Sequence, residues 1–489
     1  MTVHLPAWRF GKSYESIDRE TLVHFLTGEP VAEVSQVGGA MLSRDLQKSA
    51  AAARRAILAI DPEEIVERLQ TAGNLYAHGT LTLGDSRQSP DDFVQQQSAT
   101  TGLPESLCRA NMQKNMFVLS NMDRILDALS RGLDPRILWQ GYGVEQRGVT
   151  VSYQACSPVL GLVLPSNSPG VHTLWLPVVA LGVGLVMKPG SQEPWTPYRM
   201  AAAMVEAGIP AEAIGLYPGA TDVGAAVLAD CGRSMIFGSA KTVEQYRSNP
   251  KVQVHGPGFS KIILGDDCVD NWEEYLDAMA ESVAINSGRG CINASAIYAS
   301  RHTKAIAAAL AERLGPVEVR PPDHPEAKLA AFTVPGAAKA IWGQIEGLLR
   351  APGVTHATAD YGDRFVEGAR CGWLRPVVAH CTNPTAEIAR AEYMFPFVSV
   401  VECPQDKMLD SIGPTLVCTA LTDDDNFQAQ LIDCTSIDRL NLGTVPTTKL
   451  DWLQPHEGNI IEFLYRSRAL QLVGLETESG KRKAVAAAD

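Results

Sequence analysis

In this chain of 489 residues, the side chain best placed for covalent chemistry is the cysteine that ends Asn286-Ser287-Gly288-Arg289-Gly290-Cys291. Helix formers run from Trp272 to Ala284, Asn286 and Gly288 interrupt them, and Ala294 to Ala299 then reads as a strand. A thiol on a glycine-loosened turn between helix and strand is exposed enough to attack a carbonyl. Backbone N–H groups beside it can stabilise the charge that develops. The plainer reading of Cys291 is a small buried hydrophobe, the usual fate of a free cysteine.

Other residues with chemical potential stand at the ends of apolar runs. Asn167 lies in Pro165-Ser166-Asn167-Ser168-Pro169, where two prolines hold a side-chain amide rigid; a rigid donor suits an oxyanion, and an Asx turn is the structural alternative. Lys188 in Lys188-Pro189-Gly190-Ser191 suits a hydroxyl or phosphate, or is a solvated surface lysine. Gly238-Ser239 opens a helix whose free N–H groups favour a pyrophosphate. No Gly-x-Gly-x-x-Gly loop follows any of these strands.

The elements that carry these residues read as α/β. Strands at 159–164, 183–187, 214–217 and 234–237 alternate with helices at 170–181, 196–207 and 222–229, the pattern of a doubly wound parallel sheet. Such sheets bind ligands beyond the carboxyl ends of their strands. Residues 1 to about 140 read mostly as helices, including 50–58, 62–77 and 116–132. Residues 141–156 alternate like an antiparallel ribbon with Val149, Val151 and Tyr153 on one face. A second α/β region has strands at 261–264, 294–299, 397–402 and 414–419 and helices at 271–285, 303–314, 337–350 and 424–432, and the chain closes in a polar, alanine-rich tail.

A net charge of −13 argues against nucleic acid or an anionic membrane as partner. The longest apolar run, Leu174 to Met187, is too short for a membrane span and carries Pro177, Gly182 and Gly184. No signal peptide is legible at the N-terminus. Ten scattered cysteines without a Cys-x-x-Cys pair argue against a disulfide framework or a metal site and for reduced thiols in the cytoplasm.

Taken in order, these segments resemble the aldehyde dehydrogenase superfamily from about residue 140 to 460. Pro165 to Pro169 is similar to the family's Pro-Trp-Asn-Phe-Pro segment, and Met187 to Ser191 to its Lys-Pro segment. Ala207 to Pro210, Phe237 to Ser239, Asn286 to Cys291 and Glu392-Tyr393-Met394-Phe395-Pro396 follow, the last resembling Glu-x-Phe-Gly-Pro. The resemblance implies a Rossmann-like NAD(P)-binding domain, an α/β catalytic domain and a small β oligomerisation element. It makes Cys291 the nucleophile, with Asn167 and the Cys291 N–H as oxyanion hole. Pro165, Ser166, Lys188, Ser191, Gly238, Ser239 and Glu392 become the residues that hold NAD or NADP.

Two departures shape the expected chemistry. Hydrolytic members carry a glutamate in Glu-Leu-Gly-Gly-Lys that activates water; here Pro257-Gly258 match the glycine pair and His255 stands at the glutamate's place. A thiol acceptor needs less help than water, so the leading expectation is acylating chemistry with coenzyme A as co-substrate, linking an aldehyde to its acyl-CoA in either direction. The alternatives are hydrolysis to an acid with His255, Glu457 or Glu462 as base, and a non-catalytic binding protein on the same fold. Ser191 replaces a glutamate that holds the adenine-ribose hydroxyl, which leaves NAD and NADP both open. The resemblance also places tunnel-lining residues near 109–120 and 440–455. Residues 1–140 with 157–254 are expected to bind the dinucleotide, 255–440 to carry the nucleophile, and 141–156 with 441–489 to form the oligomerisation element and tail of a homodimer or homotetramer.

Overall fold

The computed structural model describes residues 2–144 and 148–471. Its first large sheet has the spatial order Val252–His255, Arg233–Phe237, Val159–Val163, Gly184–Lys188, Ile214–Leu216, all parallel, followed by Ala7–Arg9 and Lys12–Tyr14 running antiparallel. The parallel strands are apolar on both faces because both are covered. One face packs on Pro62–His78, Glu105–Ser120 and Trp195–Glu206, the other on Gly39–Leu58 and Thr221–Asp230.

The register aligns the strand ends. Val163 pairs with Lys188 and with Ile236, and Phe237 pairs with His255. The segments after Val163, Lys188, Phe237 and His255 therefore leave the sheet along one edge. Strand order reverses between Val159–Val163 and Arg233–Phe237, the crevice where open sheets of this kind take ligands.

The chain crosses from His255 to Ser260 in a short link and enters a second sheet. Its order is Val354–His356, Val377–Cys381, Phe397–Glu402, Ala294–Ala299, Ser260–Leu264, Thr415–Leu421, Ile437–Leu442, parallel except for the first. The carboxyl edge of the first sheet thus faces the amino edge of the second. Cys291 immediately precedes the start of Ala294–Ala299, and Glu392 precedes Phe397–Glu402.

Three expectations fail. The first 35 residues are not helical: they form five strands, Val3–Leu5, Ala7–Arg9, Lys12–Tyr14, Arg19–Val23 and Pro30–Ser35. These are short and polar, and they are held by pairing with distant partners, so no local periodicity announces them. The helix expected at 170–181 is instead a 3₁₀ turn, Pro169–Leu174, and a four-residue helix, Pro177–Ala180, because Pro177 lacks the N–H a continuous helix would use. The helix expected at 116–132 is divided at Asn121 into Glu105–Ser120 and Met122–Ser130.

The ribbon Tyr142–Val144 with Thr150–Ala155 gains a third antiparallel strand, Tyr465–Ser467, from the C-terminal segment. The tail expected at 481–489 lies outside the described residues. All ten cysteines are free thiols. Among the described residues, no helix is long and apolar enough to cross a membrane.

Candidate active site

Where the two sheets meet, a cavity of about 670 Å³ contains Cys291 together with Asn167, His255, Gly238, Ser239 and Glu392. The turn that presents Cys291 is unusual in its backbone. Asn286, Ser287 and Gly288 are consecutive left-handed residues with φ of 52°, 58° and 65°. Asparagine tolerates this conformation and serine does so at a cost. The surroundings enforce it: the Asn111 amide donates to Asn286 Oδ1 at 2.9 Å, Asn286 Nδ2 donates to Ser168 Oγ at 3.2 Å, and Ser287 Oγ accepts from the Ala330 N–H at 2.8 Å. Gly288 packs so tightly that an added Cβ would lie 2.4 Å from the Phe395 carbonyl carbon. Gly258 is equally constrained, since its Cβ would fall 1.9 Å from the Cys291 carbonyl oxygen. That same oxygen accepts from Ser260 Oγ at 2.8 Å, which ties the cysteine to the sheet.

Burial pushes the Cys291 thiol up to about 12, and the nearby Glu392 charge adds to the rise, while the N–H groups of Cys291 and Ile292 work the other way. The resting group is therefore a thiol, and attack on a carbonyl requires a partner to take its proton.

Two side chains of the C-terminal segment, His456 and Glu457, come close to the sulfur, and His255 joins them through Glu457. His255 pairs through Nδ1 with Glu457 Oε2, and its ring stacks on Phe237 with centroids 4.5 Å apart. Cys291, His456 and Glu457 each bring one ligating atom into a group whose members lie within 4.8 Å of one another. Glu457 is delivered by the C-terminal segment, whose backbone is anchored where Gln253 Nε2 donates to the Glu457 carbonyl and Asn459 Nδ2 donates to the Leu129 carbonyl at 2.8 Å. Among the described residues His255 Nε2 is buried without a hydrogen-bond partner. Burial drives the His255 imidazolium down to about 3, so the ring is neutral at pH 7 and keeps a lone pair. His456 is also driven to about 3 by burial, reinforced by Arg439. Arg439 Nη1 lies 3.0 Å from His456 Nδ1. A guanidinium only donates, so the His456 proton sits on Nε2 and this ring offers a donor rather than a ligand for a cation.

Glu392 does not face the cavity as a free carboxylate. Gly258 N–H donates to its Oε1 at 3.1 Å and Phe259 N–H donates to Oε2. Burial lifts it to about 7 against those two donors and the neighbouring Lys261. Lys261, buried itself, is lowered to about 8.

The remaining residues named from the sequence divide into two groups. Pro165, Gly238 and Ser239 line the same cavity as Cys291. Ser239 also caps Ala240–Glu244, accepting from the Thr242 N–H at 3.4 Å. Ser166, Lys188 and Ser191 lie away from it. Ser166 Oγ accepts from the Gln192 N–H at 3.1 Å, and Lys188 Nζ reaches only the Pro189 carbonyl at 3.5 Å. Ser191 shares a small recess with Glu20 and Gln36. The tunnel walls include Asn111 and Lys114 on one side and Thr448, Leu450 and Trp452 on the other, in the two regions the resemblance indicated. His456, Lys261 and Lys114 carry no sequence signal of their own; each is placed by tertiary packing.

Comparison with known proteins agrees with this geometry. A 2-aminomuconic 6-semialdehyde dehydrogenase of Pseudomonas sp is 23% identical over 337 residues, covering 63% of this chain and 64% of that protein. A betaine aldehyde dehydrogenase of Cereibacter sphaeroides is 26% identical over 251 residues, covering 48% of this chain and 50% of that one. The chain thus spans between half and two thirds of the length of these relatives. The structure of an indole-3-acetaldehyde dehydrogenase in complex with NAD+ superposes with a TM-score of 0.76 at 17% identity, over 96% of each chain, which establishes the fold. The model of the aldehyde dehydrogenase family matches residues 13–409, and the chain belongs to that family.

Proposed function

We propose that this protein oxidises aldehydes with NAD or NADP through a covalent adduct on Cys291, and that water, not coenzyme A, releases the product as a carboxylic acid. The observation that carries the choice is the approach of the Glu457 carboxylate to the sulfur, with His255 paired to that carboxylate in the same cavity. The acylating expectation rested on the missing glutamate at position 255; a carboxylate reaches the site from position 457 instead.

In this reading the His255 ring takes the thiol proton as the Cys291 sulfur attacks the aldehyde carbon, and the Glu457 carboxylate against the ring offsets the burial that otherwise disfavours the imidazolium. Asn167 and the Cys291 N–H hold the resulting alkoxide. When bound, the nicotinamide supplies the acceptor for the hydride that the adduct releases. The chain's residues fit the dinucleotide: Pro165, Gly238 and Ser239 bound the crevice at the strand-order reversal, and among the described residues Lys188 has no carboxylate in direct contact. Lys188, Ser166, Ser191 and Glu392 would complete its hydroxyl contacts. Once His255 has released the thiol's proton to solvent, the thioester left on Cys291 is opened by a water whose proton passes to His255 and on to the departing sulfur, with Glu457 stabilising the imidazolium as it forms.

The same reading assigns dinucleotide binding to residues 1–140 with 157–254 and catalysis to 255–440. The ribbon with its C-terminal strand would pair with a second copy, since Val144 on its edge strand is 45% exposed and Val149, just before its central strand, 56%.

The test is turnover of an aldehyde with NAD or NADP in the absence of any thiol. Reduced cofactor and free acid are expected to accumulate in equal amounts, and Cys291→Ala is expected to abolish both. A single burst that continues only when coenzyme A is added would restore the acylating reading.

A further inference from the structure

Resting on that reading of the site, we infer that the substrate is an aldehyde bearing a carboxylate at the far end of a short chain, and that Lys114 binds that carboxylate. Lys114 lines the cavity, yet among the described residues no hydrogen bond or ion pair engages it. The other charged groups around the cavity are spent. Arg289 donates to the Thr101 carbonyl at 3.1 Å and to the Ala331 carbonyl, and Glu392 is held by two backbone N–H groups.

The setting of Lys114 sharpens the point. Burial lowers its ammonium, and no acidic neighbour offsets the effect, in contrast to Lys188, where Glu20 and Asp222 do, and Lys261, where Glu392 does. Withdrawing a cation from water without a counter-ion is unfavourable, and an anion entering the cavity relieves it. A single ammonium with no guanidinium fork beside it suits a carboxylate better than a phosphate ester.

Position agrees with substrate rather than cofactor. Lys114 lies on Glu105–Ser120, which packs with Pro62–His78 and Trp195–Glu206 on one face of the first sheet. Lys188 lies on the sheet and is influenced by Asp222 of the helix on the opposite face. On its own helix Lys114 follows Asn111 by three residues, and Asn111 touches Asn286 of the cysteine turn. That is roughly 4.5 Å along the helix axis, so Lys114 stands one turn from the contact with the cysteine turn, and the ammonium and the sulfur open into one cavity that a single molecule can occupy. Val171, Leu174, Ile285 and Trp452 give the intervening wall its apolar character.

The experiment compares kcat/KM for an aldehyde ending in a carboxylate with its methyl ester, its trimethylammonium analogue and its phosphate ester. Wild type is expected to favour the carboxylate over the ester by about tenfold or more, as for a hydrogen bond to a charged group, and to disfavour the cation. Lys114→Met should collapse the carboxylate-to-ester ratio through KM, and Lys114→Arg should restore it. An unchanged ratio in Lys114→Met, or a phosphate ester preferred over the carboxylate, would overturn the inference. Calorimetry on Cys291→Ala protein with a dicarboxylate and its monoester separates the two readings. Charge-dependent binding lost in Lys114→Met supports the inference even if the proposed chemistry fails; turnover with no preference for charge removes the inference and leaves the chemistry standing.

Discussion

His172 with Glu193 and His255 with Glu457 are two buried imidazole–carboxylate pairs in one molecule, and they differ in what else their atoms do. In the first pair His172 Nε2 lies 3.1 Å from Glu193 Oε2, and both side chains are 1% exposed. Trp175 Nε1 donates to His172 Nδ1 at 3.2 Å, which fixes the proton on Nε2. Glu193 Oε1 accepts from Gln97 Nε2 at 2.8 Å, from the Thr196 N–H at 2.9 Å and from Thr196 Oγ1 at 2.8 Å. Every polar atom of the pair is engaged. In the second pair His255 Nε2 has no hydrogen-bond partner among the described residues, and His255 borders a cavity that also holds a thiol. Full satisfaction marks a pair that fixes structure; a lone pair kept free beside a nucleophile marks one kept for chemistry.

The largest expected effect tests the second pair. His255→Phe keeps a ring to stack on Phe237 but removes the base. Deacylation should slow by roughly 10²–10⁴, with reduced cofactor appearing as a burst followed by a slow phase. Rapid-quench measurement of acid release checks this, and Glu457→Gln should follow it in smaller measure. Wild-type rates in His255→Phe would place the base elsewhere.

The first pair should fail in the other way. His172→Leu leaves the Glu193 carboxylate buried without its imidazole and the Trp175 N–H without an acceptor. A loss of about 3–5 kcal/mol in unfolding free energy is expected, read from urea titration, while the ratio of burst to steady rate stays that of wild type. A burst in His172→Leu would dissolve the distinction between the pairs.

The two pairs also differ in how far the sequence discloses them. Asn286 to Cys291, Asn167 and the strand ends around them are legible because each is a local pattern: an apolar run, then a glycine, proline or asparagine that ends it. His255 and Glu457 both stand out as candidates, yet 202 positions separate them in the chain, and only the fold shows that they touch. The same holds for Lys114, and for His456, whose tautomer depends on Arg439 in the strand Ile437–Leu442. The N-terminal strands escape a reading by periodicity for a related reason. Lys12–Tyr14 is polar and three residues long, and Ala7–Arg9, its pairing partner, is what makes it a strand. What the sequence withholds is pairing at a distance, and that pairing builds most of this site.

The smallest expected effect concerns a carboxylate outside both pairs, Glu392, whose charge acts on the sulfur. Burial lifts this group to about 7, so it gains its charge near neutrality. Once charged it opposes the Cys291 thiolate, whose position at about 12 owes more to burial than to this neighbour. Glu392→Gln should therefore lower the thiol by less than one unit, and alkylation of Cys291 by iodoacetamide should quicken by less than about tenfold at a given pH. The sign depends on pH. Well below 7 wild-type Glu392 is protonated and the two proteins should react alike; above 7 the variant should pull ahead. Mass spectrometry of the Cys291 peptide distinguishes this thiol from the other nine. Identical profiles at high pH would show that the carboxylate does not act on the sulfur, and burial alone would then account for the inert resting thiol that makes the His255–Glu457 pair necessary.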